Sequence, residues 1–173
     1  MLMRHTAILL PLLPFLFACN HSEPSGQTRL PIHAEMLPTV VKVNVNDKDA
    51  RERMKGWSGR LIAVNSSDGL PDDPFGFTDA YRNLSYSSST LLLWYHGLPD
   101  FTLESTRQWF IRDNSDNTYH WNMNLGGSFG DNEDIDEICY VRMAILVGKL
   151  PDMAEVSVSY TISDYSWDWE ETE

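Results

Sequence analysis

Five histidines, two cysteines and one dense run of carboxylates are the obvious chemical resources of this 173-residue chain. His5, His21, His33, His96 and His120 are scattered, and no pair stands at the spacing with which a metal site gathers its ligands. There is no Gly-x-Ser-x-Gly elbow, no phosphate-cradling glycine loop, no His-Glu-x-x-His and no Cys-x-x-Cys. Asp131, Glu133, Asp134, Asp136 and Glu137 are the densest acidic cluster, and they follow Gly126-Gly127-Ser128-Phe129-Gly130. A glycine-rich turn feeding carboxylates offers the oxygen ligands that calcium takes. The run nevertheless lacks the glycine and the terminal glutamate of an EF-hand loop, so a wide turn leading into a solvated acidic loop is the preferred reading. The same negative charge opposes phosphate binding by the glycines. The expectation is a protein that is not an enzyme and has no metal or cofactor.

Two stretches have the composition of contact surfaces. Residues 79–89 place Tyr81 and Tyr86 among serines, a mixture suited to recognition because tyrosine gives large contact area at low entropic cost. The alternative is an ordinary serine-rich connection. Residues 164–173 place Tyr165, Trp167 and Trp169 among five acids. Exposed aromatics anchor interfaces and the surrounding charge steers a basic partner. Equally, the three aromatics share one parity and extend a final strand over the core. The candidate partner-binding residues are therefore Tyr81, Tyr86, Asp131, Glu133, Asp134, Asp136, Tyr165, Trp167 and Trp169.

Cys19 has another role. Arg4, an apolar run from Thr6 to Phe17 and the small Ala18 form the three-part layout of a secretory signal. The run is interrupted by Pro11 and Pro14 and is shorter than the roughly 20 residues of a spanning helix. Leu16-Phe17-Ala18-Cys19 resembles the lipobox of bacterial lipoproteins, with Phe17 where a small or β-branched residue is usual. That resemblance implies acylation of Cys19 after removal of residues 1–18. Asn20 is not the aspartate that retains such proteins in the inner membrane of enteric bacteria, so the periplasmic face of the outer membrane is the expected address. The competing reading is a secreted protein whose signal merely ends near a cysteine. Cys139, in the apolar run 138–147, would remain without a disulfide partner and reads as an inert core thiol.

The chain carries a formal charge of −12, which makes nucleic acid and anionic lipid surfaces poor partners and a basic protein surface a better one. Residues 19–38, punctuated by Pro24, Gly26, Pro31 and Pro38, read as a lipidated tether. Residues 39–173 read as a single domain. Within it Val41, Val43 and Val45 alternate with polar residues, as do Val156, Val158, Tyr160 and Ile162. Further strands are expected at 57–65, 90–96, 107–112, 118–124 and 138–147, with a hairpin turn at 113–117. A short helix capped by Asp47 or Asp49 is expected near 47–54. About seven strands with little helix predict an all-β protein, an antiparallel β-sandwich or partly open barrel.

In architecture and charge such a protein resembles, by type only, the immunity lipoproteins that protect bacteria from periplasm-acting effectors such as phospholipases or wall hydrolases. The resemblance implies a protein partner that is bound and neutralised. The alternative is a scaffolding lipoprotein of the envelope or of a secretion apparatus.

Overall fold

The structure, a computed structural model, describes residues 26–76, 79–130 and 136–164. Its eight strands are β1 (Gln27–Leu30), β2 (Ile32–Asn44), β3 (Leu61–Val64), β4 (Ser89–Pro99), β5 (Phe101–Asp113), β6 (Tyr119–Phe129), β7 (Glu137–Gly148) and β8 (Val156–Asp164). They form two four-stranded sheets, ordered β1-β5-β6-β8 and β2-β7-β4-β3. The sheets face each other as a sandwich and are not closed into a barrel. Every pairing is antiparallel except β6 with β8, which is parallel.

The alternation of side chains decides what lies between the sheets. Leu92, Trp94 and Leu98 of β4, with Cys139, Val141, Met143, Ile145 and Val147 of β7, meet Phe101, Phe110, Trp121, Met123 and Leu125 of the first sheet. Such a face-to-face arrangement buries one parity of each strand. In β4 and β7 the other parity is buried as well. Leu91, Leu93, Tyr95, Ala144 and Leu146 are covered by Tyr81, Tyr86, Trp57, Leu70, Phe75 and Leu84 from the connections before and after β3. These two central strands therefore read as continuous apolar runs, as strands buried on both faces do.

Between β2 and β3 lies helix α1 (Lys48–Lys55). Asp47 is its N-cap, accepting a hydrogen bond from the Ala50 amide at 3.0 Å. A four-residue helical turn, α2 (Asp79–Arg82), lies in the long connection from β3 to β4. The expected hairpin is present: β5 and β6 pair from Phe101/Phe129 to Arg112/Tyr119. In its turn Asp113 accepts from the Ser115 amide and hydroxyl, and Asp116 from those of Thr118. These hydrogen bonds to the ionised forms hold both carboxyls below the usual carboxylate range.

Three expectations are corrected. Residues 27–38, read as tether, are strand: β1 and the first half of β2 form edges of the two sheets, so the folded domain begins by Gln27 rather than at 39. Their prolines misled because they occupy positions a sheet tolerates. Pro31 sits where the chain passes from one sheet to the other, and Pro38 lies in a register shift on the edge strand β2. Second, Gly126–Phe129 is not a wide turn but the end of β6, paired with the start of β5. Third, the strand expected over 57–65 is confined to Leu61–Val64.

Cys139 is buried and is the free cysteine of the described residues. Burial pushes its thiol up from its ordinary pKa. It is expected to be silent to a water-soluble disulfide reagent in the native protein and to react in full after denaturation. A rapid native reaction would contradict the packing.

Candidate functional site

The strand directions define two poles of the sandwich. At one, Phe129 of β6 faces Phe101, the Gly130 amide donates to the Asp100 carbonyl at 2.8 Å, and the Asp100 amide donates to the Glu137 carbonyl at 3.0 Å. Here β4 turns into β5 through the single residue Asp100, whose φ is 42°. The parallel strand β8 also ends here, with Asp164 opposite Gly127. The described residues flanking 131–135, and the last described residue before 165–173, thus lie at one end of the molecule. The segments 131–137 and 164–173 together contain ten of the chain's 25 acidic residues and no lysine or arginine.

At the other pole Asp113 ends β5, and the Asn114 amide donates to the Gly26 carbonyl at 2.8 Å. Gly26 is the first described residue, so the chain from Cys19 enters here. β5, with 13 residues, spans the distance between the poles, about 40 Å at the usual strand rise.

The expected acylation site Cys19 and, of the candidate contact residues, Asp131, Glu133, Asp134, Tyr165, Trp167 and Trp169 lie outside the described residues. Asp136 is exposed at the acidic pole, its carbonyl accepting from the Val45 amide at 2.8 Å. Tyr81 and Tyr86 are not surface residues: they are 6% and 9% exposed and belong to the cluster covering the second sheet. The Tyr86 hydroxyl donates to the Tyr81 carbonyl at 2.8 Å, and its own carbonyl accepts from Lys149 Nζ at 2.9 Å. The serines carry the solvated side of this connection while the tyrosines turn inward, so its contact-loop composition is that of an ordinary connection. Lys149 follows β7 and Asp136 precedes it, which places Tyr86 and Asp136 at opposite ends of that strand.

The least expected residues are charged and buried. Asp73 and Arg142 form an ion pair at 3.1 Å, with side chains 0% and 3% exposed. Asp73 also accepts from the Tyr95 hydroxyl at 2.5 Å and the Phe75 amide at 3.0 Å. Arg142 also donates to the Gly76 carbonyl at 2.6 Å and to Thr39 Oγ1 at 3.1 Å, with Phe75 and Tyr81 rings against its guanidinium. Burial and the Asp73 carboxylate push the Tyr95 hydroxyl well above its ordinary pKa. Asp73, Phe75, Gly76 and Tyr81 belong to the connection laid over the second sheet, and Thr39, Tyr95 and Arg142 to its strands. The network fastens that connection and presents no reactive group to solvent.

His96 is half-buried between the sheets, stacked on Trp94 at 5.0 Å and sharing a 2.8 Å hydrogen bond with the Tyr160 hydroxyl. Burial lowers its pKa from the ordinary 6.5. Below about pH 6.5 the unfolded chain therefore binds a proton that the folded chain resists, and stability is lost as the pH falls through that range. The urea midpoint is expected to drop between pH 7 and pH 5, and His96→Gln is expected to flatten that portion of the profile. An unchanged profile in the variant would assign the dependence elsewhere.

His120 lies on the outer face of the first sheet, bonded to Ser157 and Thr118. Among the described residues no group of three or more His, Cys, Asp or Glu side chains is placed to hold a metal ion, and no helix is long and apolar enough to cross a membrane. Comparison with protein-family models, with curated proteins and with solved structures gives no match. The fold defines an all-β sandwich protein.

Proposed function

We propose that this is a periplasmic lipoprotein, anchored through Cys19, that binds and neutralises a partner protein with a basic surface, as an immunity protein does against an antibacterial effector. One observation carries the reading: the acid-rich segments 131–137 and 164–173 are rooted at the same pole, and the chain from Cys19 joins the domain at the other. A lipid at one end leaves the other end free to meet a soluble protein. The concentrated negative charge raises the association rate of a basic partner. Asp131, Glu133, Asp134 and Asp136, with Tyr165, Trp167 and Trp169, supply the contact residues under this proposal. Tyr81 and Tyr86 do not.

The test is capture from the lysate of the protein's own host with the full chain as bait. A single stoichiometric hydrolase supports the proposal. Recovery of several envelope or secretion components favours a scaffold instead. With the partner in hand, changing the four aspartates and glutamates of 131–136 to amides is expected to slow association by about tenfold or more and to reduce its salt dependence. An unchanged rate would remove the acidic pole from the mechanism. Independently, Cys19→Ala is expected to abolish acyl labelling and membrane fractionation; a variant that stays labelled and membrane-bound would disprove anchorage through Cys19.

A further inference from the structure

The pole that receives the chain from Cys19 carries two adjoining cavities. One, of about 380 Å³, is bordered by Arg112, Asp116 and Tyr119 of the β5–β6 hairpin and by Met153 and Glu155 of the connection between β7 and β8. The other, of about 250 Å³, is walled by Leu30, Pro31, Phe110 and Leu150. Arg112 and Tyr119 line both, so a charged space and an apolar one meet. The Tyr119 amide donates to the Glu155 carbonyl at 2.9 Å and holds the connection against the hairpin. Met153 in that connection is 91% exposed, the most exposed large apolar side chain among the described residues.

The charges select the occupant. Arg112, Asp116 and Glu155 are exposed, and among the described residues none of them belongs to a salt bridge. Arg112 commits only Nη2, to Asn117, and Asp116 only Oδ1, to Thr118. A guanidinium takes a phosphate through paired hydrogen bonds, and carboxylates attract an ammonium. One cation beside two anions opposes a purely anionic ligand and fits a zwitterion. The adjoining apolar cavity adds a requirement for hydrocarbon. Chain length brings such a ligand here: residues 20–25 separate Cys19 from Gly26, and that stretch reaches at most about 25 Å. Acyl chains on Cys19, as proposed above, thus hold this pole close to the bilayer surface, where the tether raises the effective concentration of headgroups.

We infer that this pole binds the headgroup of a phospholipid carrying both ammonium and phosphate, the phosphate on Arg112, the ammonium on Asp116 and Glu155, and Met153 entering the boundary with the acyl chains. The inference rests on anchorage through Cys19. It gives the membrane contact a second purpose, since a bound headgroup orients the domain with its acidic pole outward.

Methionine-methyl NMR of the full acylated chain tests this in lipid discs of phosphatidylethanolamine and phosphatidylcholine carrying a nitroxide at headgroup level. The Met153 methyl is expected to be broadened beyond detection, while Met54, packed on Val43 at the acidic pole, keeps its intensity. Arg112→Gln and Glu155→Gln are each expected to restore most of the Met153 intensity with an unchanged circular dichroism spectrum. Replacing the lipids by phosphatidylglycerol is expected to do the same. A Met153 signal as sharp as that of Met54 in a chain that has entered the discs, or equal broadening in the variants and in phosphatidylglycerol, would overturn the inference and leave the anchorage standing. A wild type that does not enter the discs would overturn the anchorage, and the headgroup site with it.

Discussion

Gly127→Ala is expected to destabilise the protein by about 3 kcal/mol or more, at the upper end of overpacking costs. The urea midpoint measures it. A Cβ at Gly127 would stand 2.0 Å from the Thr102 carbonyl oxygen and 2.7 Å from the Phe101 ring. The first of these is backbone in a paired strand and cannot rotate aside. Gly127 does not have positive φ, so the requirement is close approach and not backbone conformation. The matched control is Gly56→Ala. Gly56 has ordinary helical dihedrals and a Cβ there meets nothing nearer than 3.6 Å. It is expected to stabilise by about 0.4–1 kcal/mol through the unfolded chain's entropy. Equal costs at the two glycines would show that the approach of β5 to β6 is looser than described.

The second large effect is expected at the buried ion pair. Asp73→Ala leaves Arg142 and the Tyr95 hydroxyl, both buried, without their shared acceptor. Loss of one partner of a buried pair costs about 3–5 kcal/mol. Removing both charges is expected to cost much less than the sum of the single changes, because an apolar pair of similar volume avoids the desolvation that the ions suffer. Asp73→Leu with Arg142→Met is the double variant to measure against each single one. Additive costs would mean that the two side chains act independently, contrary to their 3.1 Å contact. Since the pair fastens the connection containing Tyr81 and Tyr86, the single variants are also expected to loosen it, seen as faster amide exchange over 70–88.

The alternations at 41–45 and 156–162 made β2 and β8 legible, and the turn residues at 113–117 made the β5–β6 hairpin legible, because half-buried strands and tight turns impose local patterns. Arg142 was harder: within an apolar run, nothing local reveals a carboxylate 69 residues away. Tyr81 and Tyr86 had the composition of a recognition loop, yet composition does not state which side of a connection faces a sheet. The parallel placement of β8 was equally silent, since period two describes a strand without its neighbour. The acidic pole was half legible. Both acid-rich segments stand out in the sequence, but their common end depends on strand direction.

The register of β2 has a consequence for how the chain reaches this state. Val43 pairs with Ile138 and Lys42 with Cys139, so β2 finds its neighbour only after nearly a hundred further residues have been made. β3 waits likewise for β4, whose other side is filled by β7. A chain made as far as the end of β6 is therefore about three quarters complete, yet its second sheet still lacks β7, one of its two central strands. Pairings so distant along the chain make folding slow, and β2 stays available to other partners in the interval. Assembly of the second sheet is thus a late event triggered by β7, and the nascent chain depends on being kept apart from its neighbours until that strand arrives.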